Sequence, residues 1–297
     1  MSRKKVALVV ATALVLVAGL LYSGYHVWIQ SAEYIGGSSA YSTLDEYVSL
    51  GEGEAKGGTG GAASGSSPAS AKAPNTAPDA PDASREEARQ PAQAEEREYE
   101  YPDIAWPQVD FARLRQINPD IVGWLYAEGM DLSYPVVQAG DNEKYLDTMF
   151  DGTKNKTGCP FLDAGNAGDF SDRHSVIYAH NRKDGSMFGK LKLYKEQAFY
   201  EQHPRILLIT PDARYVMEIF SGHVARSDSG AWRIAFSDDA ELAQWRDIIR
   251  ERSSIHSDIV PEDGERILTL STCSYEFENA RYVVHGVLRK AKFPKEE

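Results

Sequence analysis

The sequence predicts a mainly β fold, a barrel with a few peripheral helices, and three observations carry that expectation. Short runs rich in Val, Ile, Leu, Thr and Tyr recur from Ile121 to Leu288, each bounded by Gly, Pro, Asn or Asp. Few amphipathic helices lie between them, so the regular alternation of strand and helix that builds a doubly wound sheet is missing. Residues 51–98 consist mainly of Gly, Ala, Ser, Pro, Asp and Glu, with no aromatic before Tyr99. Such a stretch cannot bury enough apolar surface to offset its chain entropy, which leaves about 200 residues for one core.

At the N-terminus, Arg3, Lys4 and Lys5 precede an uncharged run from Val6 to Ile29 whose most apolar part is Val6 to Tyr22. As a helix it is long enough to cross a hydrocarbon layer of roughly 30 Å, and the basic flank keeps its N-terminal end in the cytoplasm. Residues 1–30 therefore read as a cytoplasmic tip and single-pass membrane anchor, with Tyr22, Tyr25 and Trp28 at the outer interface. A cleaved signal peptide is the rival reading, but no small-residue cleavage site directly follows the apolar part. Residues 31–105 read as an extracellular linker, largely disordered, whose coil would reach roughly 40 Å. Within it, Leu44 to Leu50 suggests a short helix, and the Glu- and Arg-rich residues 85–100 the start of a solvated one.

Residues 106–297 read as the folded head. Asp110 caps a helix whose apolar positions Phe111, Leu114 and Ile117 recur every three residues, and Asn118-Pro119 ends it. Strands follow at Ile121–Tyr126 and Tyr134–Gln138 around a Glu128-Gly129 turn, then a helical stretch from Asn142 to Phe150 and extended chain at Gly158–Asp163. Val176–Tyr178 is a short strand, Met187–Tyr200 has mostly helical spacing, and strands return at Ile206–Thr210 and Tyr215–Val224. Ser237 to Glu241 is a capping signature ahead of Leu242, Trp245 and Ile249, the clearest amphipathic helix in the chain. Ile267–Thr272 and Tyr282–Leu288 are the last strands.

Composition narrows the chemistry. A net charge of −12 excludes a nucleic-acid binder and gives no reason for adsorption on anionic lipid. Cys159 and Cys273 are the only cysteines, too few for a disulfide framework, although one bridge between them is allowed by count. No spacing of His, Cys or carboxylates suggests a metal site, and no cofactor motif is present.

The last two strands hold the strongest chemical signal. If Thr269-Leu270-Ser271-Thr272-Cys273 and the strand from Tyr282 form an antiparallel hairpin centred near Phe277, Cys273 and Arg281 stand opposite one another on one face. A permanent cation favours the thiolate, the form that attacks carbonyls. Taken alone, a cysteine at a strand end is more often a small buried hydrophobe. Cys159, with no basic residue closer than Lys156, is read that way.

A second segment shifts the balance, Tyr178-Ala-His180-Asn-Arg-Lys-Asp-Gly-Ser-Met-Phe188. Together with the Thr-Leu-Ser-Thr-Cys strand and the downstream arginine, it resembles the class B sortases, cysteine transpeptidases of Gram-positive bacteria. The resemblance also takes in Asn118-Pro-Asp-Ile-Val-Gly-Trp-Leu, Tyr134-Pro-Val-Val-Gln, Asp141-Asn142, Tyr145-Leu146 and Gly158-Cys-Pro-Phe-Leu-Asp163, and so spans roughly residues 110–290. It implies a sortase-type closed β-barrel and a catalytic trio of Cys273 as nucleophile, His180 as proton donor and Arg281 as ligand of substrate carbonyls or the oxyanion. It also implies that Tyr178, Asn142, Leu146, Ser271 and Thr272 line a groove for a sorting peptide. The chemistry agrees with these roles, because an imidazole titrates at about pH 6.5 while a guanidinium stays charged and cannot be the acid.

The expected function is membrane-anchored transpeptidation. The partners would be the C-terminal sorting signal of secreted surface proteins and an amine acceptor, on a peptidoglycan precursor or a pilin. A hydrolytic cysteine peptidase would use the same residues, and a tethered surface-binding domain would need none of them. Arg281 could also be a plain ion-pair partner for Glu276 or Glu278, and Leu146 a core residue.

Overall fold

On the last strands of the chain, apolar residues occupy both faces, and this sets the architecture: one face lines a barrel interior and the other is covered by a helix. The structure, a computed structural model, describes residues 3–50 and 97–292, and for residues 3–13, 30–34 and 38 the backbone alone. A long helix, α1 (Arg3–Ser42), leads through a 3₁₀ turn at Leu44–Glu46 to β1 (Val48–Leu50). β2 (Glu98–Tyr99) and β3 (Pro107–Val109) come before α2 (Phe111–Ile117), β4 (Ile121–Ala127), β5 (Leu132–Val137), β6 (Phe161–Leu162) and β7 (His174–Tyr178). α3 (Gln197–Gln202), β8 (Arg205–Ile209), β9 (Arg214–Ala225), α4 (Asp239–Glu251), β10 (Arg266–Cys273) and β11 (Arg281–Ala291) complete the order.

The main sheet runs β10-β7-β6-β5-β4-β8-β9-β11, and the additional pairing of β10 with β11 closes these eight strands into a ring, with β2 attached beyond β11. The mainly β barrel is thus the fold, and closure leaves none of the eight with an open edge along the ring. β7 and β10 run parallel, whereas β10 and β11 form the antiparallel hairpin. Leu125, Leu162, Ile177, Leu208, Leu270 and Tyr282 fill the interior. Ile267, Val283 and Val287 face the other way, into a second cluster with Leu242, Trp245 and Ile249 of α4. α4 begins where the capping signature puts it: Asp238 accepts from the Glu241 amide at 2.8 Å.

Several local expectations change. Asn142–Phe150 forms only a 3₁₀ turn at Lys144–Leu146, because its backbone groups are bonded elsewhere. Asp141 takes the amides of Glu143 and Lys144, while the carbonyls of Tyr145 and Asp147 accept from Cys159 and Asn155. Met187–Tyr200 breaks into a turn, a 3₁₀ segment and α3, since Met187 has a positive φ of 54° and the Phe188 amide is bonded back to His180. Leu44–Leu50 is a turn and a strand that pairs with β3, and Glu98–Tyr99 is a strand on β11 rather than part of a solvated helix.

Tyr41 and Leu44 pack against the barrel: the Tyr41 hydroxyl donates to the Gly158 carbonyl at 2.6 Å, and Leu44 is buried. Among the described residues no helix is long and apolar enough to cross a membrane. The run expected to do so begins at Val6, and the side chains of residues 6–13 lie outside the described ones, as do residues 51–96 of the linker expected over 31–105.

Candidate active site

Three neighbouring strands, β7, β10 and β11, build the site. β10 and β11 pair Cys273 with Arg281, and β10 and β7 pair Ser271 with Tyr178. Two residues further along each of the parallel strands stand Cys273 and His180. The pairing is carried past the end of β7 by Ala179 N–H to Ser271 O at 3.2 Å, Thr272 Oγ1 to Ala179 O at 2.8 Å and Asn181 Nδ2 to Cys273 O at 2.8 Å. Adjacent strands lie about 4.8 Å apart, so His180, Cys273 and Arg281 occupy one row across the sheet.

Period two then decides where the side chains point. Leu268 and Leu270 belong to the interior, so Ile267, Thr269, Ser271 and Cys273 face outward; Val283 and Arg281 do so on β11, and His174, Tyr178 and His180 along β7. The three residues of the row are half-buried, open to solvent on the outer face.

His180 is held by its far nitrogen. Nε2 lies 2.6 Å from the Leu146 carbonyl, which can only accept, so Nε2 carries a proton and the neutral ring keeps its lone pair on Nδ1. The backbone behind the ring comes close at Gly158, in the left-handed region with φ of 62°. A Cβ there would lie 3.0 Å from His180 Cδ2 and 2.7 Å from the Tyr145 carbonyl.

Arg281 makes no ion pair among the described residues; its Nη1 donates only to the neighbouring Ala280 carbonyl, at 3.1 Å. The suggested partner Glu276 is bonded instead to Lys195 and Ser274. Against the upward push of burial, these two hold its carboxyl at about 2. The guanidinium is therefore available to a ligand.

The expected groove residues divide into two groups. Tyr178 and Asn142 meet at the buried carboxylate of Asp163, donating to Oδ2 at 2.9 and 3.0 Å, while Asn142 Oδ1 accepts from the Ala164 amide. Burial first, and then this carboxylate, push the Tyr178 phenol well above its ordinary range, so it stays a donor. Leu146 is 45 % exposed, which rules out the core role. Ser271 and Thr272 are each 2 % exposed: Ser271 Oγ accepts from Trp232 Nε1 at 2.8 Å and Thr272 Oγ1 donates inward to Ala179. Their hydroxyls thus fasten the strand and do not open onto the groove.

Sequence reasoning gave no role to Asp163, Asn181 or Trp232. The first two lie inside quoted motifs; Trp232, in a loop between Gly230 and Phe236, leaves no local signal. Cys159 is buried with Sγ 3.5 Å from the Pro135 carbonyl, burial pushes its thiol up, and both cysteines are free thiols.

A closed, mainly β barrel that presents a cysteine between an imidazole and a guanidinium has the build of a cysteine transpeptidase. The chain belongs to the sortase family, whose domain model matches residues 125–289. Its relatives are of class B, and so is this chain. Sortase B of Listeria monocytogenes is 32 % identical over 177 residues, covering 59 % of this chain and 72 % of the relative. Sortase B of Staphylococcus aureus is 34 % identical over 176 residues, with the same two coverages. A Staphylococcus aureus sortase B–substrate complex superposes with a TM-score of 0.59 at 33 % identity, covering 61 % of this chain and 85 % of that one. Clostridium perfringens sortase B gives 0.57 at 30 % identity, covering 60 % and 99 %.

Proposed function

We propose that this class B enzyme is held at the cell membrane by its N-terminal segment, works outside the cell, and joins secreted surface proteins to an amine. The observation that carries the reading is the single row of His180, Cys273 and Arg281 on the outer face of the barrel. Two solved relatives add to it, one described as a Staphylococcus aureus sortase B–substrate complex and one as sortase B complexed with triglycine, a peptide that carries an amine.

The steps follow from the atoms in the row. The Cys273 thiolate adds to the carbonyl of the scissile peptide bond in a C-terminal sorting pentapeptide, and the Arg281 fork donates to the oxyanion or to flanking carbonyls. As the tetrahedral adduct collapses, the C–N bond breaks and the departing nitrogen takes the proton from Nδ1 of protonated His180, leaving a thioester. An incoming amine, from a peptidoglycan precursor or a pilin lysine, attacks that thioester and passes a proton to Nδ1; the C–S bond breaks and the thiolate returns. The groove walls at Tyr178, Asn142 and Leu146 would orient the peptide, with Ser271 and Thr272 holding the strand beneath it.

The test is intact-protein mass spectrometry of the full chain after incubation with a small library of sorting peptides. An acyl adduct on Cys273, lost in Cys273→Ala, is expected. Added amine should yield ligated product in excess of hydrolysed product; hydrolysis alone would mean a peptidase, and cleavage that persists in Cys273→Ala would remove the nucleophile assignment.

A further inference from the structure

Beneath α4, beside the reactive row, strands β7, β10, β11 and β9 bring together four polar residues on the outer face: His174, Thr269, His285 and His223. All four are buried. The hydrogen bonds among the first three have only one consistent direction. The Arg233 carbonyl lies 2.7 Å from His174 Nδ1 and can only accept, so Nδ1 carries the proton. Burial keeps the ring neutral, with its pKa lowered to about 4, so Nε2 is an acceptor. Thr269 Oγ1, 2.6 Å away, gives its single proton there, and therefore accepts from His285 Nδ1 at 2.6 Å. Donors run from His285 through Thr269 and His174 to a loop carbonyl outside the sheet.

That loop lies against the outer face of β10, next to the reactive row. Trp232, the residue before the terminal carbonyl, donates its indole N–H to Ser271 at 2.8 Å. Two residues on, Ile234 Cδ1 stands 2.6 Å from where a Cβ on Gly165 would be, against the wall that holds Asp163. Trp232–Ile234 is thus fastened to β10 twice, at Ser271 and, through His174, at Thr269, which lie two and four residues before Cys273. Apolar residues would fill the same space without leaving polar atoms bare. Here His285 Nε2 and both ring nitrogens of His223 have no hydrogen-bond partner among the described residues, a cost that packing alone does not explain.

We propose that the His285–Thr269–His174 chain is a latch that holds Trp232 and Ile234 as the roof of the peptide groove, making Thr269 and His174 positioning residues for substrate. The proposal rests on reading that groove as the peptide site. It makes a local demand as well, that breaking the chain frees the roof whether or not peptide binds.

Thr269→Val keeps the shape and removes the hydroxyl, and Thr269→Ser restores it. In the full chain, Thr269→Val is expected to speed amide hydrogen exchange over residues 230–236 by about tenfold, the loss of roughly one net hydrogen bond. It should raise KM by about as much, with kcat largely kept, for the peptide that forms the Cys273 adduct; Thr269→Ser should return both to the wild-type values. Unchanged exchange in Thr269→Val, or a Ser variant as loose as the Val one, overturns the latch. Faster exchange with an unchanged KM overturns the roof. If no peptide acylates Cys273, the exchange arm still decides the latch while the functional reading falls by itself. Should the Val variant not fold, Thr269→Ala takes its place with the same Ser rescue.

Discussion

Leu146 serves the site with two groups of opposite character. Its side chain stands exposed, while its carbonyl fixes which nitrogen of His180 carries the proton. In the neutral enzyme the ring therefore exchanges protons through Nδ1 alone. Replacing the ring by Ala is expected to lower turnover of the acylating peptide by about 10²- to 10⁴-fold, the range general acid catalysis supplies, with the melting temperature little changed. Arg281→Lys keeps the charge but loses the planar fork, and should still cost about 10²-fold in kcat. A Lys variant with full activity would show that charge alone is needed there. The facing of Cys273 and Arg281 was legible because antiparallel registry about Phe277 is simple counting. The burial of Ser271 was not: its face is outward, as alternation requires, but the cover comes from Trp232, 39 residues away.

Elements were legible where their own sequence decides them. α4 has its cap, its apolar stripe and its expected start, and the long strands β9, β10 and β11 lie within one to three residues of the runs that announce them. Asn142–Phe150 misled because helical spacing competes with side-chain and long-range claims on its backbone, which local sequence does not show. The parallel contact of β7 with β10 was equally hidden, since pairing between segments about 90 residues apart has no turn to announce it. The covered face under α4 also fixes how the fold answers to acid. His174 and His223 are both lowered to about 4, chiefly by burial, so between about pH 6.5 and 4 the unfolded chain takes up protons that the native one refuses. Stability must then fall as pH falls through that window, by about 3 kcal/mol for His174 alone at about 1.4 kcal/mol per pH unit. Urea unfolding at pH 7, 5.5 and 4.5 measures it; a midpoint that holds steady would mean these rings are not neutral in the folded state.

For the molecule as a whole, the barrel was readable as mainly β, while its closure followed only from the family resemblance, because no single strand states which partner completes a ring. The proposed address in the cell is open to a direct measurement. Cells expressing the full chain should carry it in the membrane fraction, with the C-terminal head accessible to added protease, and deletion of residues 1–30 should release it. Retention of the truncated chain in the membrane would transfer the anchoring role to another segment.

The strand that brings Arg281 to the row is also the one that shuts the barrel, against both β9 and β10. A half-made polypeptide already contains His180, yet the sulfur destined to lie beside it arrives with the final hairpin. Such a chain is dormant, because imidazole, sulfur and guanidinium become neighbours only when the closing seam is zipped. Chemistry is thereby withheld from every incomplete or unravelled copy, without a separate inhibitor.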